Sequence, residues 1–290
     1  MWRNVAVIGA AGKMGKWLCR FLLNEGFNVF ANDLRIDELT KLKNSIPNIN
    51  ICSLEKCVTN SETIIISVPI DSFKSVIREL KPYVRDDQLV IDVCSVKKFP
   101  VTVMHSELKK GIKLGTHPLF GPGTKSINKK KVVLTPINEE EINLASEIIK
   151  WLGERGCYGI LLDPSEHDSL MTVMMGIPHA VGLILSKYLS GLDLNTLEFL
   201  NTPTYNFMMR YSTAILGGNL DLYISIQRHL EVSNELKKLS NMINDFASEV
   251  ANEPEKALQE FLNIRRKVVN NGLSVSKSYE LMYKLFEELQ

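Results

Sequence analysis

The chain has 290 residues, with 45% hydrophobic and 23% charged, a length that suggests two domains at roughly 150 residues each. That mixture belongs to a folded globular chain and excludes extended disorder. Thirty-four Lys and Arg against 33 Asp and Glu leave a net charge of +1, so no charge excess points to a nucleic-acid partner.

The opening residues, MWRNVAVIGAAG, lead a short apolar run straight into a glycine turn with no basic leader, so no signal peptide is expected. Val5–Ile8 reads as a strand, and Lys13–Glu25 has helical spacing with Trp17, Phe21 and Leu22 on one face. Asn28–Asn32 is the next strand, and Thr63–Val68 and Leu89–Val93 are continuous apolar runs. Runs of this kind belong to strands buried on both faces of a parallel sheet. Later strands are expected at Lys113–Gly115, Val132–Thr135 and Gly159–Leu162. Strands alternating with helices predict an α/β fold, a Rossmann-like, doubly wound, mostly parallel sheet over residues 1–163.

After Asp163-Pro164 the strand patterns stop, and helical periodicities run from Ser165 to Gln290, broken near Pro178, Pro203 and Gly217-Gly218. Residues 164–290 are therefore expected to form an all-helical C-terminal domain, and its apolar character suggests a homodimer sharing a core. Ser248–Gln290 reads as helix throughout, with Leu258, Phe261 and Leu262 on one face. The stretch Ser169–Ser186 lacks Asp, Glu, Lys and Arg and approaches the lower length limit for a membrane span. It contains Gly176, Pro178 and His179, all costly against lipid, so a buried, broken helix is expected and no membrane. Five scattered cysteines (Cys19, Cys52, Cys57, Cys94, Cys157) without a CxxC pair argue against a disulfide framework and for a reducing cytoplasm.

Gly9-Ala10-Ala11-Gly12-Lys13-Met14-Gly15 lies between the first strand and the first helix. Glycines there allow a tight turn and close approach of backbone N–H groups to a pyrophosphate, whose charge the helix N-terminus stabilises. The spacing is GxxGxxG, one residue longer than the commoner GxGxxG. Asp33 ends the second strand 21 residues after Gly12. A carboxylate at that offset accepts hydrogen bonds from an adenosine ribose and repels a 2′-phosphate, which favours NAD. Arg35 is able to neutralise a 2′-phosphate, so NADP is the alternative cofactor.

Ser67-Val68-Pro69, Ser95-Val96-Lys97 and Thr116-His117-Pro118 each follow the end of a predicted strand. Ligands of open α/β sheets bind at the carboxyl ends of strands, so Ser95, Lys97 and His117 should converge. His117 beside Ser95 has the makings of a general base held in one tautomer by a hydroxyl. No metal-ligand cluster accompanies them. Lys129-Lys130-Lys131 reads as a solvated loop, Cys94 as a small buried thiol, and Met171, Met174, Met175, Met208 and Met209 as core or dimer interface.

Taken together, GxxGxMG, DVxSVK, THPLFGP, the later EHD and the later PH resemble the prephenate/arogenate dehydrogenase family over nearly the whole chain. The resemblance implies oxidative decarboxylation of prephenate, or of arogenate, in tyrosine biosynthesis, with a nicotinamide cofactor and a dimer built by the helical domain. It implies that His117 removes the proton of the substrate's ring hydroxyl and that Ser95 hydrogen-bonds both. It places Lys97 and His179 at the substrate, and it makes His167 of Glu166-His167-Asp168 part of a helix-start pair for which a structural role is at least as apt. One departure is specific. The family's carboxylate-binding arginine lies nine residues before the Tyr of an LY pair, yet nine before Tyr223 stands Ala214. Arg210, one helical turn earlier on the same face, is the candidate replacement, and Asn219 occupies a nearby Gln position of the family.

Two rivals stand beside this reading. A β-hydroxyacid- or imine-type dehydrogenase shares the architecture but uses a lysine on a helix of its second domain, whereas His117 ends a strand of the first. A nicotinamide-binding regulator without catalysis is the other, kept open by Ala214.

Overall fold

A computed structural model describes residues 3–288. The chain divides into two compact units, Met1–Met171 and Thr172–Gln290.

The first unit contains the sheet. Its elements run β1 (Asn4–Ile8), α1 (Lys13–Asn24), β2 (Asn28–Asn32), α2 (Ile36–Ser45), β3 (Asn50–Ile51), α3 (Leu54–Thr59), β4 (Thr63–Ile66), α4 (Ile70–Leu80), β5 (Leu89–Asp92), α5 (Lys98–Glu107), β6 (Ile112–Pro118), β7 (Lys131–Thr135), α6 (Glu139–Gly153), β8 (Tyr158–Leu161) and α7 (Pro164–Met171). The eight strands lie in the order β3-β2-β1-β4-β5-β6-β7-β8. All neighbours pair parallel except β6 and β7, where His117 faces Val133 in an antiparallel register. No helix lies between those two strands to return the chain for a parallel crossover. The sheet is thus doubly wound and mostly parallel, as the alternation of elements predicts.

Successive side chains of a strand point to opposite faces. Val5 and Val7 pack with Val29, Ala31 and the α1 residues Leu18, Cys19 and Leu22. Ala6 and Ile8 alternate with them and are buried as well, so β1 is covered on both sides. Each such Val, Ile or Leu contributes about 1.5–3 kcal/mol on burial. Trp17 and Phe21 stack at the edge of α1, and Phe120 meets Trp17 edge-on with ring centroids 5.1 Å apart. Trp17 Nε1 also donates to the Thr124 carbonyl at 2.6 Å, which pins the loop after His117.

Three expectations change. β6 extends to Pro118, so His117 lies within the strand rather than after it. The unit boundary falls at Met171 and not at residue 163, because α7 buries His167 and Asp168 among residues of the first unit. Cys52 and Cys57 form a disulfide against the expectation of free thiols: the short β3–α3 connection brings their Cα atoms to 5.8 Å, within bridging range.

The second unit is helical. A π turn (Thr172–Gly176) is followed by α8 (Ile177–Leu189), α9 (Leu194–Phe199), α10 (Pro203–Leu216), α11 (Leu220–His229), α12 (Ser233–Asn252), α13 (Pro254–Asn270) and α14 (Val275–Glu288). The expected breaks recur at Pro178, Pro203 and Gly217. The C-terminal stretch is three helices rather than one, divided at Pro254 and at Gly272, whose φ is +84°. Its last two residues, Leu289 and Gln290, lie outside the described residues, as do Met1 and Trp2 at the start. By length and composition alone, the run Pro164–Leu189 is able to cross a bilayer. Its α7 portion buries the polar His167 and Asp168 against polar partners of the first unit, an environment that hydrocarbon does not supply.

Candidate active site

The glycine turn is built where no other residue fits. Gly9 has φ +85°, and a Cβ there would stand 2.3 Å from the Ser67 carbonyl oxygen; one on Gly15 would stand 2.1 Å from the Gly9 oxygen. The turn therefore packs directly against Ser67 and Val68, with Pro69 capping the start of α4. Gly9 and Ala10 donate their N–H groups to the Asn32 carbonyl, and Gly12 donates to Gly9. Gly12 is the N-cap of α1 and brings no capping side chain. The N–H groups of Lys13, Met14 and Gly15 are left to the positive end of the helix, a fit for a pyrophosphate. Asp33 is buried beside them. Its carboxylate accepts from the Ala11 N–H and from the backbone, Nε and Nη2 of Arg35, each at 3.0 Å. Burial raises the Asp33 pKa, but these donors outweigh it and hold the carboxyl below its usual range. The glycine turn thus lies directly against Asp33 on one side and Ser67 and Val68 on the other.

A second cluster forms where β5 and β6 end. Lys97, expected at the substrate, is 0% exposed. Its ammonium lies in the core, against Asp92 Oδ1 and the Thr116 carbonyl. The apolar run of β5 ends in Asp92, and its carboxylate, also fully buried, draws the lysine inward. Lys97 is therefore an internal charge partner here and not a surface cation.

His117 keeps 6% exposure. Its Nδ1 lies 2.9 Å from His167 Nε2 rather than on the Ser95 hydroxyl that the sequence suggests. His167 is 0% exposed, and its Nδ1 is 2.7 Å from Asp168 Oδ1. Asp168 also accepts the backbone N–H groups of Lys97 (2.7 Å) and Lys98 (2.9 Å), holding the start of α5. Desolvation, then the Lys97 charge and His167, push the His117 pKa well below 6.5, so the ring is neutral at neutral pH. A neutral imidazole is a proton acceptor, which is what a general base requires. Cys94, buried beside Asp92, has its thiol pKa pushed well up by burial and is inert. His167 and Asp168 are the partners that sequence reasoning undervalued; the EHD triplet just after Asp163-Pro164 was their only signal.

The remaining predicted residues lie in the second unit. The His179 and Tyr223 rings are 4.2 Å apart, and His179 Nδ1 is buried without a hydrogen-bond partner among the described residues. Desolvation lowers the His179 pKa. Gln227, one turn beyond Tyr223, donates to the Gly176 carbonyl at 2.8 Å. Asn219 is the N-cap of α11 and accepts from the Leu222 N–H, a structural role that occupies its side-chain oxygen. Arg210 on α10 is 56% exposed at its side chain and lies 3.6 Å from Glu198. Tyr211, next to it, turns the other way and donates to the Pro178 carbonyl.

Residues 18–158 match the family model described as prephenate dehydrogenase, nucleotide-binding domain. A relative named probable arogenate/prephenate dehydrogenase, from Methanocaldococcus jannaschii, is 30% identical over 259 residues, 83% of this chain and 57% of its own length. The T-protein of Haemophilus influenzae is 28% identical over 231 residues, 77% of this chain and 55% of its own. The chain thus spans little more than half the length of these curated relatives. Among solved structures, prephenate dehydrogenase from A. aeolicus, in complex with hydroxyphenyl propionate and NAD+, is similar in fold. Its TM-score is 0.71 at 22% identity, over 92% of this chain and 98% of that one.

Proposed function

The chain belongs to the prephenate/arogenate dehydrogenase family, and from that premise we propose that it oxidatively decarboxylates prephenate to 4-hydroxyphenylpyruvate with NAD as hydride acceptor. The observation that carries the reading is a neutral, buried His117 at the carboxyl end of β6, backed by His167 and Asp168.

The chemistry asks little more of the protein than a base and correct positioning. The ring hydroxyl gives its proton to His117 as hydride leaves the carbon that bears it. Carbon dioxide then departs from the opposite ring carbon, the electron pair it leaves behind completes the aromatic ring, and the phenolate oxygen takes the proton back from His117. Bound NAD supplies the hydride acceptor. Gly9 to Gly15, Asp33 and Ser67 to Pro69 would hold it. NAD is favoured over NADP because the Asp33 carboxylate is ionised at the end of β2 and Arg35 is drawn onto it rather than left for a 2′-phosphate.

Ser95 is assigned to the substrate hydroxyl, and His179, Tyr223 and the exposed Arg210 to substrate binding. Lys97 drops out of that set, since its charge is spent on Asp92. The test is stoichiometry: prephenate and NAD should yield NADH, CO2 and 4-hydroxyphenylpyruvate in equal amounts. NADH without CO2 would instead indicate a hydroxyacid-type dehydrogenase.

A further inference from the structure

Neutral imidazole has two tautomers, and only one of them leaves the lone pair on Nε2. The surroundings of His117 choose between them. Three N–H groups converge on the Asp168 carboxylate: the backbone of Lys97, the backbone of Lys98, and His167 Nδ1. An ionised carboxylate only accepts, so the proton of His167 lies on Nδ1. His167 Nε2 then holds a lone pair, and its 2.9 Å contact with His117 Nδ1 is a hydrogen bond when His117 Nδ1 donates. The lone pair of His117 is left on Nε2, which has no protein partner among the described residues.

We propose that His167 and Asp168 are positioning residues that lock His117 into the tautomer with a basic Nε2, and that Asp168 ties this lock to the start of α5. The inference rests on the reading of His117 as the base. A purely structural Asp168 would need only its bonds to Lys97 and Lys98. His167 makes no bond to α5, so substituting His167 separates the lock from the cap.

The experiment is a long-range proton–nitrogen correlation spectrum of the full chain labelled with 15N-histidine, recorded near neutral pH without substrate. Five histidines keep it simple, and His117→Asn assigns the key signals. His117 should show a protonated Nδ1 and an unprotonated Nε2, and His167→Leu should convert it to a mixture. In turnover, His167→Leu should lower kcat on the order of 10²–10⁴-fold, the range for losing a correctly held base, with KM and cofactor affinity little changed. His167→Gln places an amide acceptor near the former Nε2 and should recover about tenfold of that loss. A His117 protonated on Nε2 in the parent chain, or an unchanged kcat in His167→Leu, overturns the proposal. The spectrum needs no turnover: the expected tautomer in a chain that converts no substrate would sink the functional reading and leave the lock standing.

Discussion

Burial, first, and the nearby Lys97 ammonium make the protonated form of His117 costly, which keeps the ring neutral and able to accept a proton in its proposed role as base. Its folded pKa lies below 6.5, so the neutral ring persists as pH falls through 6.5. The acid limb of kcat/KM should therefore break below pH 6.5; a break at or above it would mean that His117 is exposed to water during turnover. The same depression means that His117 supports stability above pH 6.5 and withdraws that support as the pH falls. Lys97 makes a different prediction. Lys97→Met leaves the fully buried Asp92 carboxyl without its cation, which should cost about 3–5 kcal/mol in denaturant unfolding, while Lys97→Met with Asp92→Leu should recover most of it. A Lys97→Met chain of full stability but raised KM would return Lys97 to the substrate. Gly9 and Asp33 were legible because spacing after a strand fixes where they lie, and His117 was legible through the Thr116-His117-Pro118-Leu119-Phe120-Gly121-Pro122 element. The direction of Lys97 and the partner of His117 were not, since both depend on elements that meet only in the fold: β5 with β6, and α7 with the sheet.

At the scale of elements, strand–turn–helix periodicity predicted β1, α1, β2, β4 and β5 nearly to the residue. β3 escaped because two residues, Asn50 and Ile51, are too few to establish a period. The end of β6 was misplaced because Thr116-His117-Pro118 resembles a loop in composition, yet it pairs with β7 through Leu134, Val133 and Val132. The division at Pro254 was missed since proline at the first position of a helix leaves the apolar spacing intact on either side. The β1–α1 turn carries the sharpest test of the cofactor crevice. Gly9→Ala forces a Cβ against the Ser67 carbonyl at a positive φ. It should destabilise the chain by about 1–3 kcal/mol, and calorimetry should show weakened NAD binding. Unchanged NAD affinity would mean that this turn does not cradle the cofactor.

For the whole molecule, the two units differ in how they hide apolar surface. The first buries its central strands β1 and β4 on both faces, whereas the second exposes Ile184, Tyr188, Phe246 and Phe199, the last at 86%. Exposed apolar surface on this scale marks an interaction site, and the proposed occupant is a second copy of the chain. Light scattering at micromolar concentration should give twice the mass of 32.8 kDa; a monomer would leave that surface to another partner. The proposed reaction is measured most directly by crossing prephenate and arogenate with NAD and NADP, following reduced cofactor by absorbance. Turnover is expected with prephenate and NAD, with His117→Asn slower by about 10²–10⁴-fold at unchanged NAD affinity. Silence in all four combinations, with NAD still bound, would contradict it and mark the chain as a nicotinamide-binding protein without this chemistry.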